Sequence, residues 1–335
     1  MDSSLSCITP TLAFTPLRVS TITTTAQLGT PILGDALFEQ IQILSYWDLT
    51  DGVLKMEHKG VSKGTCFKDI MMKPKEKDTS FYNQTTLILR REVAPLTWKE
   101  INIKLFKNGG VQITGVRTLE MASGALHWLL EHLQRTCTAK PIFSSTPTIH
   151  KEETQLINTD FSIGAKVRRD VLHRILSETY RLSSSFESAI YQGVKTKYFY
   201  NDAKAPGSAP GHCTCAKLCK GTGNGTKMGA CKKITISSFQ TGNVIVTGGR
   251  TLEQTNEAYE FIKRVIATHQ EELLRKEYSL PAIEPADVKA KKPVKAAKHG
   301  WIQHPCPRNI LHVDVAASGS VVAASASVPA SASVA

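Results

Sequence analysis

Four cysteines lie within 19 residues, Cys213, Cys215, Cys219 and Cys231, spaced C-x-C-x3-C-x11-C. Four soft thiolate ligands on a glycine-rich loop can close around one structural Zn²⁺ in a tetrahedral site. His212 is an alternative ligand, and free thiols or redox chemistry are the competing readings of the cluster. The same stretch, Ala203 to Lys233, holds six lysines and no acidic residue. That composition suits contacts to phosphates, and equally a solvated surface loop. Its glycines, Gly221, Gly223, Gly225 and Gly229, fit neither the P-loop nor the dinucleotide-binding pattern. No nucleophile–base pair or carboxylate cluster recurs at a catalytic spacing, and His304-Pro305-Cys306-Pro307 stands alone near the C-terminus, so the expectation is a non-catalytic protein.

A second chemical feature appears only through an internal repeat. Ile101–Leu133 (INIKLFKNGGVQITGVRTLEMASGALHWLLEHL) aligns without a gap on Ile234–Ile266 (ITISSFQTGNVIVTGGRTLEQTNEAYEFIKRVI), with 12 of 33 positions identical. Each copy spells strand, glycine turn, strand, turn, helix. Asn108-Gly109-Gly110 and Thr241-Gly242-Asn243 read as hairpin turns. Thr-Gly at 114–115 and 247–248 is expected to end the second strand. Thr118 and Thr251 are helix caps, Thr251 with Gln254 forming a capping-box pattern. Upstream, strands are expected near Ser20–Leu28 and Gln155–Ile163, followed in the second copy by an amphipathic helix from about Lys166 to Tyr180 and a strand Tyr191–Tyr200.

Side chains alternate faces along a strand. Ile101, Ile103 and Leu105 share one face, which leaves Asn102, Lys104 and Phe106 on the other. Ile234 and Ile236 likewise oppose Thr235, Ser237 and Phe239. Val111/Ile113 and Val244/Val246 point to the core, while Gln112/Thr114 and Ile245/Thr247 share the face of the two phenylalanines. One exposed Phe is ordinary, but two at equivalent places indicate a used surface, unless the rings pack under a loop. Helices behind a sheet whose open face carries Thr, Gln, Ser and paired Phe suit nucleic-acid binding, because apolar side chains can wedge between base steps from the minor groove and bend the duplex.

These elements must be placed within 335 residues, enough for about two domains. The apolar fraction is 41% and the formal net charge +12, which favours a polyanionic partner. The composition excludes collagen-like and coiled-coil chains, and no run approaches the ~18 apolar residues of a membrane helix. The first 16 residues show no secretory-signal pattern, so an intracellular location is expected and the sequons at Asn83 and Asn224 read as chance matches. From Glu284 the chain is rich in Lys, Ala and Pro, then in Ala, Ser and Val, and is expected to be disordered. Its lysines, Lys289 to Lys298, read as an import or phosphate-binding patch or as a solvated linker. The boundaries expected are a flexible N-terminus 1–17, a first repeat 18–140, a second repeat 141–275 with the Cys/Gly/Lys-rich insertion 201–233, and a tail 276–335.

At LFKNGGVQITG and SFQTGNVIVTG the sequence resembles the TATA-box-binding protein family, whose two repeats each read strand–(I/L)F-x-SGK–strand–V-x-TGA–helix. Ser184-Ser185-Phe186-Glu187-Ser188-Ala189-Ile190-Tyr191-Gln192-Gly193-Val194 fits the second repeat's SSYEPELFPGL, and Gln27-Leu28-Gly29 fits the end of its first strand. The divergence and the Cys-bearing insertion resemble the versions carried by large DNA viruses of eukaryotes. The resemblance implies an α+β fold in which two tandem repeats form one curved antiparallel sheet, a saddle, with helices on the convex face. It implies a transcription initiation factor that binds the DNA minor groove through the concave sheet and bends DNA with aromatic wedges. That protein is itself a standard example of minor-groove kinking, and the mechanism is borrowed from it.

By the same resemblance, Phe106 and Phe239 match one wedge of each repeat, and Tyr191 the second wedge of repeat two. Thr114, Thr247 and Ile245 match groove-facing residues, Gln112 stands where the family has a groove-facing valine, and Lys197 matches a phosphate-contacting basic residue. Glu187 matches one of two glutamates that dock the general factor TFIIB; the other is replaced by Ala189. The first repeat's second wedge falls on Thr50, and the family's groove-centre asparagines fall near Thr21 and Leu156. Implied partners are double-stranded DNA, a TFIIB-like factor and RNA polymerase, with the protein a monomer on DNA, in the nucleus or, for a viral protein, in the nucleus or a cytoplasmic virus factory. The alternative is a non-catalytic scaffold of the same fold that binds protein partners. A module acting on RNA or in repair is a third reading.

Overall fold

Alternating apolar residues in both repeats build one open, antiparallel sheet of eleven strands in a computed structural model that describes residues 7–8, 11–72, 82–205, 207–213, 215–217, 219–275 and 277–278. In chain order the strands are β1 (Cys7–Ile8), β2 (Arg18–Gln27), β3 (Gly52–His58), β4 (Val61–Gly64), β5 (Gln84–Ala94), β6 (Thr97–Phe106), β7 (Gly110–Val116), β8 (His150–Ser162), β9 (Ser184–Glu187), β10 (Tyr191–Tyr200), β11 (Lys232–Ser238), β12 (Asn243–Gly249) and β13 (Glu277–Tyr278). The helices are α1 (Gly34–Gln40), α2 (Phe67–Met71), α3 (Leu119–Thr136), α4 (Arg169–Arg174), α5 (Leu252–Thr268) and α6 (Gln270–Leu273).

The large sheet runs β4-β3-β5-β6-β7-β2-β8-β12-β11-β10-β9, and β1 pairs separately with β13. The order from β3 to β2 is mirrored from β9 to β8, so the two repeats meet at the β2–β8 seam, with Thr21 opposite Asn158 and Thr23 opposite Leu156. This is the saddle-type α+β arrangement that the resemblance implies. The chain separates into Met1–Pro281 and Ala282–Ala335; the second unit, with the lysines of the tail, lies outside the described residues. No helix of the described residues is long and apolar enough to cross a membrane.

Each repeat has its own core, because each long helix lays one apolar stripe on its half of the sheet. In the first, Leu126, Leu129 and Leu133 of α3 join the buried Ile101, Ile103, Val111 and Ile113. In the second, Ala258, Ile262, Val265 and Ile266 of α5 join Ile234, Ile236, Val244 and Val246. Burying each such side chain contributes on the order of 1.5–3 kcal/mol. The open face of the sheet is left to the opposite strand parity.

Several local expectations shift. The Thr-Gly pairs do not end their strands. Gly115 (φ +90°) and Gly248 (φ +109°) carry the chain through a register shift, and the strands continue to Val116 and Gly249. The helix expected from Lys166 begins at Arg169 and passes into a π-helical turn, Ile175–Thr179. Thr118 and Thr251 do cap α3 and α5, accepting from Met121 N and Gln254 N. The Gln254 side chain, however, reaches back to Arg250 N, one residue before the cap. The N-terminal segment is not free where it is described: Ala13 and Thr15 donate to Ile163 O and Ser162 O, and Leu12, Phe14 and Leu17 pack on the second core. Its apolar residues find a site beside β8, which outweighs the entropy of a loose terminus.

Candidate nucleic-acid interface

Phe106 and Phe239 both sit on the open face, each just before a glycine turn that forces the strand back. Gly109 (φ +82°) and Gly242 (φ +86°) supply the left-handed conformation these turns need. Gly242 N donates to Phe239 O at 3.0 Å, and Phe239 N to Asn243 O at 2.9 Å, fixing the residue that carries the ring. Neither ring is buried. A cleft of about 660 Å³, lined by Thr25, Gln27, Pro31, Asn83 and Gly110, adjoins Phe106. A smaller one of about 400 Å³, lined by Gln192, Gln240, Asn243 and Ile245, adjoins Phe239.

Tyr191 joins Phe239, with ring centroids 5.7 Å apart at 60°. Gly193, within β10, is what allows this, since a Cβ there would lie 2.8 Å from the Tyr191 ring and 3.1 Å from that of Phe239. Lys195 Nζ lies 3.9 Å over the Tyr191 ring. Arg169, at the start of α4, clamps both supporting segments. It donates to Gln192 Oε1 at 2.9 Å and to Gln240 Oε1 at 3.1 Å, next in sequence to the two aromatics.

The first repeat corrects one assignment. Gln84 pairs with Phe106, as the position of Gly193 pairs with Phe239 in the register that sets Val194 against Ser238. Two residues before each comes an aromatic, Tyr82 and Tyr191. Tyr82, 74% exposed, is therefore the equivalent of Tyr191, and Thr50 is not. Thr50 lies in the turn before β3, where its N–H donates to Asp48 O. The first repeat carries β4, α2 and residues 73–81 between β3 and β5, where the second goes from β9 to β10 through three residues. An ungapped reading could not see across that insertion.

Cross-strand partners share a face, so register orders the rest of the surface. One row crosses the first repeat as Thr86, Lys104, Gln112 and Thr25. A second runs Ile88, Asn102, Thr114 and Thr23. The matching rows of the second repeat are Lys195, Ser237, Ile245 and Asp160, and Lys197, Thr235, Thr247 and Asn158. Gln112, Thr114, Ile245, Thr247 and Lys197 thus lie on one continuous face with both phenylalanines. Asn158, opposite Thr21 and Thr247, puts an amide near the seam, two residues from Leu156. Asp160 is one acid on this face, where Arg18 pairs with it at 2.7 Å, and Glu57 and Glu153 stand on it opposite Thr86 and Thr25. Glu187 is exposed at the end of β9, away from the seam and beside the turn that carries Ile190, 85% exposed.

The cysteine-bearing segment joins the ends of β10 and β11 remote from Tyr191 and Phe239. The four Sγ atoms lie within 4.8 Å of one another, so together they could hold a metal ion. His212 is not among them; its Nε2 is 2.9 Å from Tyr180 O. Burial pushes the Cys231 thiol up to about 12, against the Asn201 amide that donates to it. Burial also acts to raise Cys213, but N–H groups of Cys219 and Cys215 outweigh it and bring it to about 6. Lys217, Lys220 and Lys227 are exposed around the cluster.

No family model matches the chain. A TATA-box-binding protein-like protein of Acanthamoeba polyphaga mimivirus is 28% identical over 267 residues, 77% of this chain and 66% of the relative. The chain thus spans just under two thirds of that relative's length. Among solved structures, Methanococcus jannaschii TBP aligns with a TM-score of 0.42 and 14% identity, over 77% of this chain and 99% of that one. With its mirrored repeats, its shared open face and this sequence similarity, the chain is similar to a TATA-box-binding protein-like protein.

Proposed function

We propose that the protein is a non-catalytic transcription initiation factor that binds duplex DNA in the minor groove through the open sheet face and bends it with aromatic wedges. The observation that carries this is the placement of the aromatics: the Tyr191–Phe239 pair at one end of the face, with Tyr82 and Phe106 at the register-equivalent place on the other. Two apolar wedges one at each end of a polar strip suit a duplex unstacked at two steps, with threonines, Gln112 and Asn158 against the base edges between them. Lys104, Lys195 and Lys197 on the same face supply phosphate contacts. Exposed Glu187, with Ile190, is the docking candidate for a TFIIB-like factor, which would bring the polymerase.

The decisive experiment is selection of bound sites from random duplex DNA, with bending measured on the selected sequences. Recovery of enriched, bent sites supports the reading. Failure to retain any duplex favours the scaffold alternative, which the Asp160–Arg18 pair on the face also suits.

Two substitutions refine the assignment. Tyr82→Ala should reduce duplex affinity about as much as Tyr191→Ala, each by roughly 1–3 kcal/mol for a lost base-stacking ring, while Thr50→Ala should change nothing. Equal behaviour of Tyr82→Ala and Thr50→Ala in a binding titration would remove Tyr82 from the interface. The double substitution Lys195→Gln/Lys197→Gln should flatten the dependence of log affinity on log salt by about 0.9 for each phosphate that is no longer neutralised. An unaltered slope would place both lysines off the DNA.

A further inference from the structure

We propose that Cys213, Cys215, Cys219 and Cys231 bind one Zn²⁺ ion as a four-thiolate tetrahedral site, and that this ion fastens the long β10–β11 connection to the end of the sheet. The proposal is independent of DNA binding.

Geometry comes first. Cys213 and Cys219 Sγ are 3.3 Å apart, Cys215 and Cys231 Sγ also 3.3 Å, and Cys213 and Cys231 Sγ 3.9 Å. Zinc–sulfur bonds of about 2.3 Å put the corners of a tetrahedron roughly 3.8 Å apart. Two disulfides would instead draw the sulfurs into separate pairs at about 2.05 Å. The close approach of Cys231 to Cys213 across those pairs is what a single centre requires.

The donor set is soft and uniform. No carboxylate occurs between Ala203 and Lys233, and His212 is engaged by the Tyr180 carbonyl. All-sulfur ligation selects zinc over the hard cations magnesium and calcium. Surrounding groups orient the ligands and temper their charge. Asn201 Nδ2 donates to Cys231 Sγ at 3.3 Å. Lys204 is drawn into the base of the loop, its Nζ on Phe199 O at 2.6 Å and 5.6 Å from the Tyr198 ring. Its charge is felt by Cys231 and Cys213, and would partly offset four thiolates around a divalent ion.

The segment also needs such a tie. It is glycine-rich and basic, and of its large apolar side chains Met228 is exposed. A chain of this composition cannot order itself by burying apolar surface. Yet it folds back tightly: Phe199 N donates to Gly211 O, Lys233 N to Gly221 O and Asp202 N to Gly225 O, while Gln254 Nε2 reaches Asn224 O from α5. A bound metal supplies the missing free energy in small segments of this kind.

The full-length protein, purified under reducing conditions, should carry one zinc per chain by metal analysis, and native mass spectrometry should show one zinc with all cysteines reduced. Replacement by cobalt should give the visible absorption of a tetrahedral thiolate centre. Cys219→Ser should lose most of the zinc, Asn201→Ala should weaken its retention about 10–100-fold, and Cys66→Ser should keep one per chain. Folded wild-type protein that is metal-free with reduced thiols overturns the proposal. So do two disulfides joining these four cysteines, or an iron–sulfur chromophore in the purified chain.

Discussion

Replacing Phe106 and Phe239 together by alanine is expected to abolish DNA bending and to weaken duplex affinity by at least about 30-fold, while thermal stability stays nearly unchanged. Each ring is worth roughly 1–3 kcal/mol against a base, and every 1.4 kcal/mol is tenfold. The fold should tolerate the loss because both rings stand on the open face, opposite the parity that fills the two cores. Leucine at both positions should keep much of the bend, since an apolar wedge needs bulk more than aromaticity. Bending read by fluorescence transfer across an end-labelled duplex checks this. Wild-type bending by the double alanine variant would sink the wedge mechanism, whatever became of affinity.

The second large effect is expected at a turn glycine. Gly242→Ala should destabilise the protein by about 2–4 kcal/mol in denaturant unfolding, a size reserved for backbone and packing lesions. Its φ of +86° alone costs an L-residue about 1–2 kcal/mol. In addition, a Cβ there would lie 2.2 Å from the carbonyl oxygen of Ala165, which is backbone and cannot swing away. Gly109→Ala should behave alike, its Cβ 2.3 Å from Thr30 O. Gly124→Ala on α3 is the control of opposite sign: nothing lies within 4 Å, and a helix gains about 0.5–1 kcal/mol when glycine becomes alanine. Since the Gly242 turn holds Phe239, the first substitution should also weaken duplex binding. Unchanged stability in Gly242→Ala would mean that this hairpin is not built as described.

Arg169 shows what pattern alone does not reveal. Its guanidinium ties Gln192 to Gln240 across 48 residues of sequence, behind the Tyr191–Phe239 pair. As an arginine in the first turn of an amphipathic helix it looks like any solvated charge. Tyr82 is similar. It precedes the run Asn83-Gln84-Thr85-Thr86, with no motif around it, and an insertion of unmatched length separates it from the segment it should have followed.

What the sequence determined by itself was the module and its polarity. Strict alternation in Ile101–Phe106 and Ile234–Phe239 can bury only one parity, so the open face with Phe106, Phe239, Gln112, Thr114, Ile245 and Thr247 followed without coordinates. The duplicated glycine turns and threonine caps fixed the order strand–strand–helix in both halves, because those residue types answer local demands of backbone geometry and unpaired N–H groups. The excess of positive charge was partly set apart too: six of the twelve net charges belong to the cysteine-bearing stretch Ala203 to Lys233 and three to the tail, leaving about three on the rest of the chain. Tertiary structure alone decided which strands are neighbours, and through register which distant residues meet. Tyr82 became the partner of Phe106 by position, Asn158 came to the seam, and four cysteines converged within 4.8 Å. Register depends on turns, bulges and insertions that shift one strand against another, and a shift of a single residue exchanges the faces. Periodicity carries the face of each strand, but the neighbour it is set against is chosen by the fold as a whole.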